Sequence, residues 1–174
     1  MKTYLFTLAF VISLTNYVQA QNLILNPGCE DTLIDGNIPY WQEISGTNWT
    51  QRTASPDPHA GSSYFFPGVA ATAELGQLIN VSNDSVEIDQ GTKMYYFTGH
   101  VRAYSQTPSD ESNILIYFRN EGDSILNSVI LGPYTQTQTW LRIDTALSAP
   151  PGARKIDIRL HSVRNIGSNN DGYY

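Results

Sequence analysis

Short stretches of alternating apolar and polar residues follow one another along the chain, and none sustains the 3.6-residue repeat of an amphipathic helix. Runs rich in β-branched and aromatic residues, separated by turn residues, predict strands at 22–26, 62–66, 72–80, 93–103, 113–119, 124–130, 139–145 and 153–164. The segments between them contain Gly and Pro, which favour turns because Gly accepts positive φ and Pro fixes φ. The clearest hairpin is predicted at 119–124. Many short strands at this spacing predict an all-β, antiparallel fold, a β-sandwich or a jelly roll.

Alternation along a strand also separates its two faces, because successive side chains point in opposite directions. The positions assigned to the core are Tyr95, Phe97, Gly99, Val101 and Ala103 in one strand, Ile114, Ile116 and Phe118 in a second, and Ile156, Ile158 and Leu160 in a third. The opposite face of the same strands carries aromatic, histidine, arginine and aspartate side chains. A face that is only exposed to solvent is expected to carry Thr, Ser, Lys and Glu, so this second face is a candidate functional surface.

The first twenty residues have the composition of a targeting segment. Met1-Lys2 is a short positive start, the run from Tyr4 to Leu14 has no charge, and Val18-Gln-Ala20 offers small residues where a signal peptidase cleaves. The uncharged run is too short to span a bilayer. The sequence therefore predicts a secretory signal peptide at 1–20 and a secreted, extracellular domain at 21–174 without a membrane span.

Charge and cysteine content narrow the function classes. Ten basic residues against sixteen acidic ones give a net charge of −6, with no cluster of Lys and Arg. A nucleic-acid-binding protein needs a basic face to neutralise phosphates, so nucleic acid is not expected as a partner. The single cysteine, Cys29, has no partner for an internal disulfide. Stability is therefore expected from packing or a bound metal.

Several motifs, taken in order, resemble one family. They are Asn22-Leu-Ile-Leu-Asn-Pro-Gly-Cys-Glu30, Trp41, Gly61-Ser-Ser-Tyr-Phe65, Ala73-Glu-Leu-Gly-Gln-Leu-Ile79, the strand from Tyr95 to Ala103, Trp140, and the run from Ala149 to Leu160. Together the motifs resemble secreted carbohydrate-binding modules of the galactose-binding-like jelly-roll type, the type that binds cellulose or xylan. The resemblance covers essentially all of 21–174. Cys29 stands where the family usually has Phe.

The resemblance implies two further features. Family members usually close with a strand reading Tyr/Phe-Asp-Asp, whereas this sequence stops at Tyr173-Tyr174, so the last strand is expected to be incomplete and the chain to be a fragment with other domains after it. Modules of this fold often hold a structural calcium ion through the Glu that follows the first strand, and Glu30 matches that ligand. Calcium takes about six to eight oxygens, so Glu30 alone is insufficient. The alternative is a solvated turn carboxylate.

The second face offers the chemistry of sugar recognition, in which rings stack on pyranoses and planar polar groups bond to hydroxyls. Its candidate carbohydrate-binding residues are Tyr96, His100, Arg102, Tyr117, Arg159 and His161, which share one face if their three strands are neighbours. The alternative is a partly buried layer packed under a loop. Trp41 is assigned to the core. Trp49 and Tyr104 lie in loop-like surroundings and could instead flank a site at the sandwich edge.

The expected function is non-catalytic binding of a polysaccharide or glycan. Two alternatives remain: a structural or adhesion β-sandwich without a sugar site, and a polysaccharide-degrading enzyme. Glycoside hydrolysis needs two carboxylates at a defined separation, and the acidic residues here fall mostly in turn-rich stretches. Jelly rolls can also host lyases, for which Tyr96, His100, Arg102 and Tyr117 are available. The sequence contains no nucleophile elbow, zinc-binding His-Glu-x-x-His or phosphate-cradling glycine loop.

Overall fold

A computed structural model describes residues 21–46 and 48–174. The strands are β1 (Gln42–Ser45), β2 (Thr50–Arg52), β3 (Tyr64–Phe66), β4 (Thr72–Asn80), β5 (Met94–Ala103), β6 (Glu111–Arg119), β7 (Ile125–Tyr134), β8 (Leu141–Ser148), β9 (Lys155–Val163) and β10 (Gly172–Tyr173). A 3-10 turn (Ser82–Asp84) and a short helix α1 (Ser85–Asp89) join β4 to β5. The predicted signal peptide at 1–20 lies outside the described residues.

The strands form two antiparallel layers. The first, called here the front sheet, has the strand order β1-β4-β9-β6-β7. The second, the back sheet, contains β10-β5-β8 and the pair β2-β3. The pair joins the other three strands through Phe65 and Tyr174, whose backbone N–H groups donate to each other's carbonyl oxygens at 2.9 and 3.4 Å. The predicted antiparallel jelly-roll β-sandwich is confirmed.

The core lies between the two sheets and is built from the predicted inward positions. Ile116 and Phe118 of β6 and Ile158 of β9 are buried against Phe97 and Val101 of β5 in one continuous cluster. Fully burying a side chain of this size contributes about 1.5–3 kcal/mol. The assignment of inward and outward positions on these three strands is therefore confirmed.

Trp41 belongs to the core, as predicted. Its indole ring meets the ring of Phe65 edge-on, with centroids 5.0 Å apart. Its indole N–H donates to the carbonyl oxygen of Asn26 at 3.3 Å. This pairing satisfies the polar atom of a buried ring and ties the segment before β1 to the sandwich.

The segment 22–26 was predicted as a strand, and that prediction is wrong. Asn26 has φ +46°, outside the β region, and Pro27 follows it. Instead of a ladder partner, Leu25 has the side chain of Gln77 on β4, which accepts from the Leu25 N–H at 2.8 Å and donates to its carbonyl at 2.9 Å. A side-chain amide thus replaces the strand pairing that the sequence pattern had suggested.

The sequence pattern missed the shortest elements. The strands β1 and β2 and the helix α1 have only four, three and five residues, whereas the short last strand β10, of two residues, lies where the resemblance implied an incomplete closing strand. Two to five residues are too few to show a hydrophobic period. The 119–124 hairpin prediction is confirmed, because the Asn120 N–H donates to the carbonyl of Ser124 at 3.0 Å between β6 and β7.

Candidate functional site

The six candidate carbohydrate-binding residues do not share one face. Tyr96, His100 and Arg102 lie on β5 in the back sheet, whereas Tyr117, Arg159 and His161 lie on β6 and β9 in the front sheet. The expectation that the three strands are neighbours is therefore wrong: β6 pairs with β9, and β5 pairs with β8 and β10. Alternation assigns a residue to the outer side of its own strand, but it does not say to which sheet that strand belongs.

A groove of about 520 Å³ runs over the outer face of the front sheet. Its wall on the β1 side is formed by Tyr40, Gln42 and Ile44, together with Leu78 of β4. Arg119 and Arg159 line the middle. The cross-strand register brings these side chains together, because Gly76 of β4 lies opposite both Gln42 and Arg159. The space that a side chain would take at Gly76 is filled by Arg159 and Ile44.

An ion-pair network occupies the centre of this groove. The Arg159 guanidinium binds Asp157 through two parallel bonds, Nε to Oδ1 at 2.7 Å and Nη2 to Oδ2 at 2.8 Å, and also binds Glu74 through Nη1. Arg119 Nε donates to Oδ2 of the same aspartate at 2.9 Å. These hydrogen bonds raise the pKa of Arg159 above its ordinary value despite burial. Bidentate pairs of this kind hold both partners in a fixed orientation.

The Tyr117 ring lies beside this network. The guanidinium carbons of Arg119 and Arg159 lie 5.6 and 5.9 Å from its centroid, within the range of cation–π attraction. Tyr117 is the register partner of Asp157, so its ring covers the ion pairs on the β6 side. His161 lies two positions beyond Arg159 on β9, opposite Glu74. Of the six predicted residues, Arg159 thus lines the groove, and Tyr117 lies beside it through its contact with the Arg159 guanidinium.

Tyr40 is a groove residue that sequence reasoning missed. Its side chain is 63% exposed, and its backbone φ is +69°, a conformation that residues other than Gly rarely adopt. The Gln77 side-chain amide donates to its carbonyl oxygen at 3.3 Å, and its neighbour Trp41 is anchored in the core. The pair of adjacent aromatics after Pro39 was the only signal in the sequence, because a positive φ has no pattern of its own.

The outer face of the back sheet carries the other three predicted residues. Tyr96 is 81% exposed. The His100 ring is stacked on His59, with centroids 3.5 Å apart and an interplanar angle of 19°. Burial, together with His59 and Arg142, lowers the pKa of His100 below its ordinary value. Arg102 is half-buried, and its Nε atom has no hydrogen-bond partner. None of these three side chains, nor His59, lines the front groove.

A second hollow of about 520 Å³ opens where loops meet at one end of the sandwich. It is lined by Arg52, Tyr104, Gln106, Asp171 and Tyr173, among others. Tyr104 is 52% exposed there, in keeping with its predicted place at the sandwich edge.

Trp49 was named with Tyr104 as a possible edge residue, and that placement is wrong. Trp49 is only 1% exposed and packs on the Tyr174 ring at 6.1 Å. A tryptophan in loop-like sequence became core because the short strand β2 follows it directly and pairs with β3.

Glu30 lies where its side chain reaches the residues before β3. Its carboxylate accepts from the backbone N–H groups of Ser62 and Ser63 at about 3.0 Å, and hydrogen bonds from both serines, Ser62 first, lower its pKa below the ordinary value. No group of three or more His, Cys, Asp or Glu side chains able to hold a metal occurs within 21–46 and 48–174. The recorded partners of the Glu30 carboxylate are the Ser62 hydroxyl and the backbone N–H groups of Ser62 and Ser63, and a single carboxylate falls short of the roughly six to eight oxygens that calcium takes. The calcium ion stays a prediction, tested by calcium titration.

Comparison with known proteins finds relatives in fold. No protein-family model matches the sequence, and no curated protein matches it either. Among solved structures, a family 16 carbohydrate-binding module superposes with a TM-score of 0.60 at 17% identity, covering 87% of this chain and 94% of that one. The module TmCBM61, solved in complex with β-1,4-galactotriose, gives a TM-score of 0.54 at 16% identity, with 88% and 93% covered.

A third similar structure is the enzymatically active domain of tailspike protein 4 of bacteriophage CBA120, with a TM-score of 0.58 at 18% identity. The match covers 87% of this chain and 20% of that one, so the chain spans about a fifth of the tailspike domain's length. Within the described residues, no helix has the length and apolar character needed to cross a bilayer. The chain therefore has the jelly-roll β-sandwich fold of carbohydrate-binding modules, as its sequence motifs had suggested.

Proposed function

We propose that this chain is a secreted, non-catalytic carbohydrate-binding module that binds a polysaccharide in the groove of the front sheet. One observation carries the proposal: the groove combines planar polar groups in fixed orientations with exposed aromatic and aliphatic side chains. Sugars present both kinds of surface, because their hydroxyls lie around the ring edge and their C–H groups form apolar faces.

The fixed polar groups retain bonding capacity for a ligand. A guanidinium has five N–H donors, and three of the five in Arg159 are engaged by Asp157 and Glu74. The remaining N–H groups are available to hydroxyl oxygens. Because the ion pairs already hold the side chain, binding costs little additional side-chain entropy.

The apolar part of the groove lies along its β1 side. Ile44 and Leu78 are 41% and 55% exposed, and Tyr40 stands at the end of this wall. Exposed side chains of this size offer an apolar surface on which the C–H face of a sugar can pack. A glycan lying along the groove would contact this wall on one side and the arginines below.

The same network argues against catalysis in the groove. Asp157 accepts hydrogen bonds on both of its carboxylate oxygens, and Glu74 accepts one from Arg159. A glycosidase needs one carboxylic acid that donates a proton and a second carboxylate that acts on the sugar. The two carboxylates that line the groove are both committed to cations, Asp157 to Arg119 and Arg159 and Asp123 to Lys155. We therefore propose binding without turnover.

The test compares tyrosines on opposite sheets. Affinity electrophoresis through gels containing galactan, xylan, glucomannan or polygalacturonate measures retention of the wild type and of Tyr40→Ala, Tyr117→Ala and Tyr96→Ala. We expect retention on at least one polysaccharide, loss of it in the two front-sheet variants, and no change in Tyr96→Ala. Thermal melts check that all variants are folded.

Other results would overturn the proposal. Retention lost in Tyr96→Ala alone places the site on the back sheet, and retention lost only in a Tyr104→Ala variant places it in the loop-end hollow. If no polysaccharide retards the wild type, the chain is a structural or adhesion domain. Release of reducing ends from a retained polysaccharide would show an enzyme.

A further inference from the structure

The stacked histidines on the back sheet join two separate parts of the chain. His100 lies in the middle of β5, whereas His59 lies in the loop 53–63 between β2 and β3. Their rings are 3.5 Å apart and nearly parallel. Rings in this arrangement attract each other when both are neutral, and two imidazolium ions at the same separation repel each other. The contact is therefore sensitive to protonation.

The loop has few other attachments near His59. The Trp140 indole donates to the carbonyl of Asp57 at 2.9 Å, and the Tyr64 hydroxyl donates to that of Ala54 at 3.0 Å. The far end of the loop is held by Glu30, which accepts from Ser62 and Ser63. None of these donors is a histidine. Among the described residues, the middle of the loop is thus tied by two contacts, the Trp140–Asp57 hydrogen bond beside β8 and the His59–His100 stack on β5.

The charges around His100 oppose a second positive charge. Its register partner on β8 is Arg142, and Arg102 follows it two positions later on the same face of β5. Asp144 of β8 favours the charged form, but it is already paired with Arg142 at 2.9 Å. Since His59 and Arg142 both disfavour the imidazolium, a proton binds His100 more readily once the loop has moved away.

We infer that the His59–His100 stack is an acid-sensitive latch, which helps to hold the loop 53–63 on the back sheet at neutral pH and weakens when His100 becomes protonated. Ser55 of the same loop lines the loop-end hollow, so release changes one wall of that hollow. The front-sheet groove takes no part in this switch, which makes the inference independent of the proposed function.

The sign of the pH dependence follows from the lowered pKa of His100 in the latched form. Latching is at full strength above the ordinary histidine pKa of about 6.5, weakens as the pH falls through it, and is weakest below the lowered value. Each unit by which the pKa is lowered multiplies the open population by about tenfold at low pH. The loop opens on acidification and closes again on neutralisation.

The chain contains three histidines, which makes the test direct. Nuclear magnetic resonance titration of the imidazole nitrogens from pH 8 to 4.5 reports each midpoint, and amide hydrogen exchange within the loop, corrected for its intrinsic pH dependence, reports opening. We expect His100 to titrate below the ordinary histidine pKa of about 6.5, and loop exchange to accelerate between pH 7.5 and 5.

Two variants separate the latch from a general effect of acid. His59→Phe keeps an aromatic ring without a charge, so loop exchange should depend less on pH and the His100 midpoint should rise. His59→Gln removes ring and charge and should leave the loop open at both pH values. His161→Phe is the control and should behave as the wild type. An unchanged His100 midpoint in His59→Phe, or equal loop exchange at pH 7.5 and 5 in the wild type, would overturn the inference.

Discussion

The two outer faces of this sandwich carry similar residue types, but the side chains differ in exposure to solvent and in the contacts that hold them. On the front sheet, the side chains of Asp157 and Arg159 are only 6% and 17% exposed and belong to one network. On the back sheet, Arg142 and Asp144 form a comparable ion pair, but their side chains are 64% and 53% exposed. An exposed pair contributes little because water screens it, whereas a shielded network with several hydrogen bonds holds its geometry. The same alternation along a strand thus gives a rigid face in one sheet and an adaptable face in the other.

The cause of the difference lies in what covers each face. The β6–β7 turn closes one end of the front network, where Arg119 Nη1 donates to the Asp123 carbonyl at 2.8 Å and Lys155 pairs with Asp123 at 2.7 Å. The back face is covered at His100 by the ring of His59 from a loop. The outer face of the front sheet is thus held by a hairpin of the same sheet, whereas the outer face of the back sheet is covered by a loop from elsewhere in the chain.

The largest expected effect comes from removing the shared carboxylate of the front network. Asp157→Ala leaves two shielded guanidiniums without their common partner, and we expect a loss of about 3–5 kcal/mol in the free energy of unfolding. Urea denaturation measures it. The matched variant on the back sheet, Asp144→Ala, should give no change that the same titration resolves. Equal losses at both positions would mean that the two faces do not differ in rigidity.

A smaller effect is expected from Gln77, which supports the groove wall from below. Gln77→Leu keeps the volume but removes the partners of the Leu25 backbone and of the Tyr40 carbonyl. We expect a loss of about 1–3 kcal/mol in the free energy of unfolding, since unpaired polar groups are costly. On the back sheet, Thr98→Val removes an exposed hydrogen bond to Asp144 and should change stability by less than about 0.5 kcal/mol. A loss for Thr98→Val as large as that for Gln77→Leu would contradict this account.

The smallest effect distinguishes the backbones that present the two exposed tyrosines. At Tyr40, with φ +69°, Tyr40→Gly should be more stable than Tyr40→Ala by about 1 kcal/mol, because Gly accepts a positive φ. At Tyr96, within the strand β5, the order should reverse, with Tyr96→Gly less stable than Tyr96→Ala by about 0.5–1 kcal/mol. Thermal denaturation of the four variants checks both signs. The same order at both positions would show that backbone strain at Tyr40 is absent.

The sequence predicted the local features of the fold well. The alternation in β5, β6 and β9 separated inner from outer side chains correctly, and the composition of the turns placed the 119–124 hairpin. It failed at 22–26, where an Asn-Pro pair and the Gln77 side chain prevented a strand, and at Trp49, where tertiary packing buried a residue from loop-like sequence. In each failure a contact distant in sequence overrode a local pattern.

For the candidate site, the sequence by itself determined which residues face outward and what chemistry they carry, since both follow from the two-residue period of a strand. Only the tertiary structure decided which of those residues meet. It put Arg159 in the lining of one groove with the Tyr117 ring beside it, moved Tyr96, His100 and Arg102 to the opposite sheet, and added Tyr40. The physical reason is that the sheet to which a strand belongs, and a positive φ such as that of Tyr40, depend on long-range pairing and packing, which leave no period in the sequence.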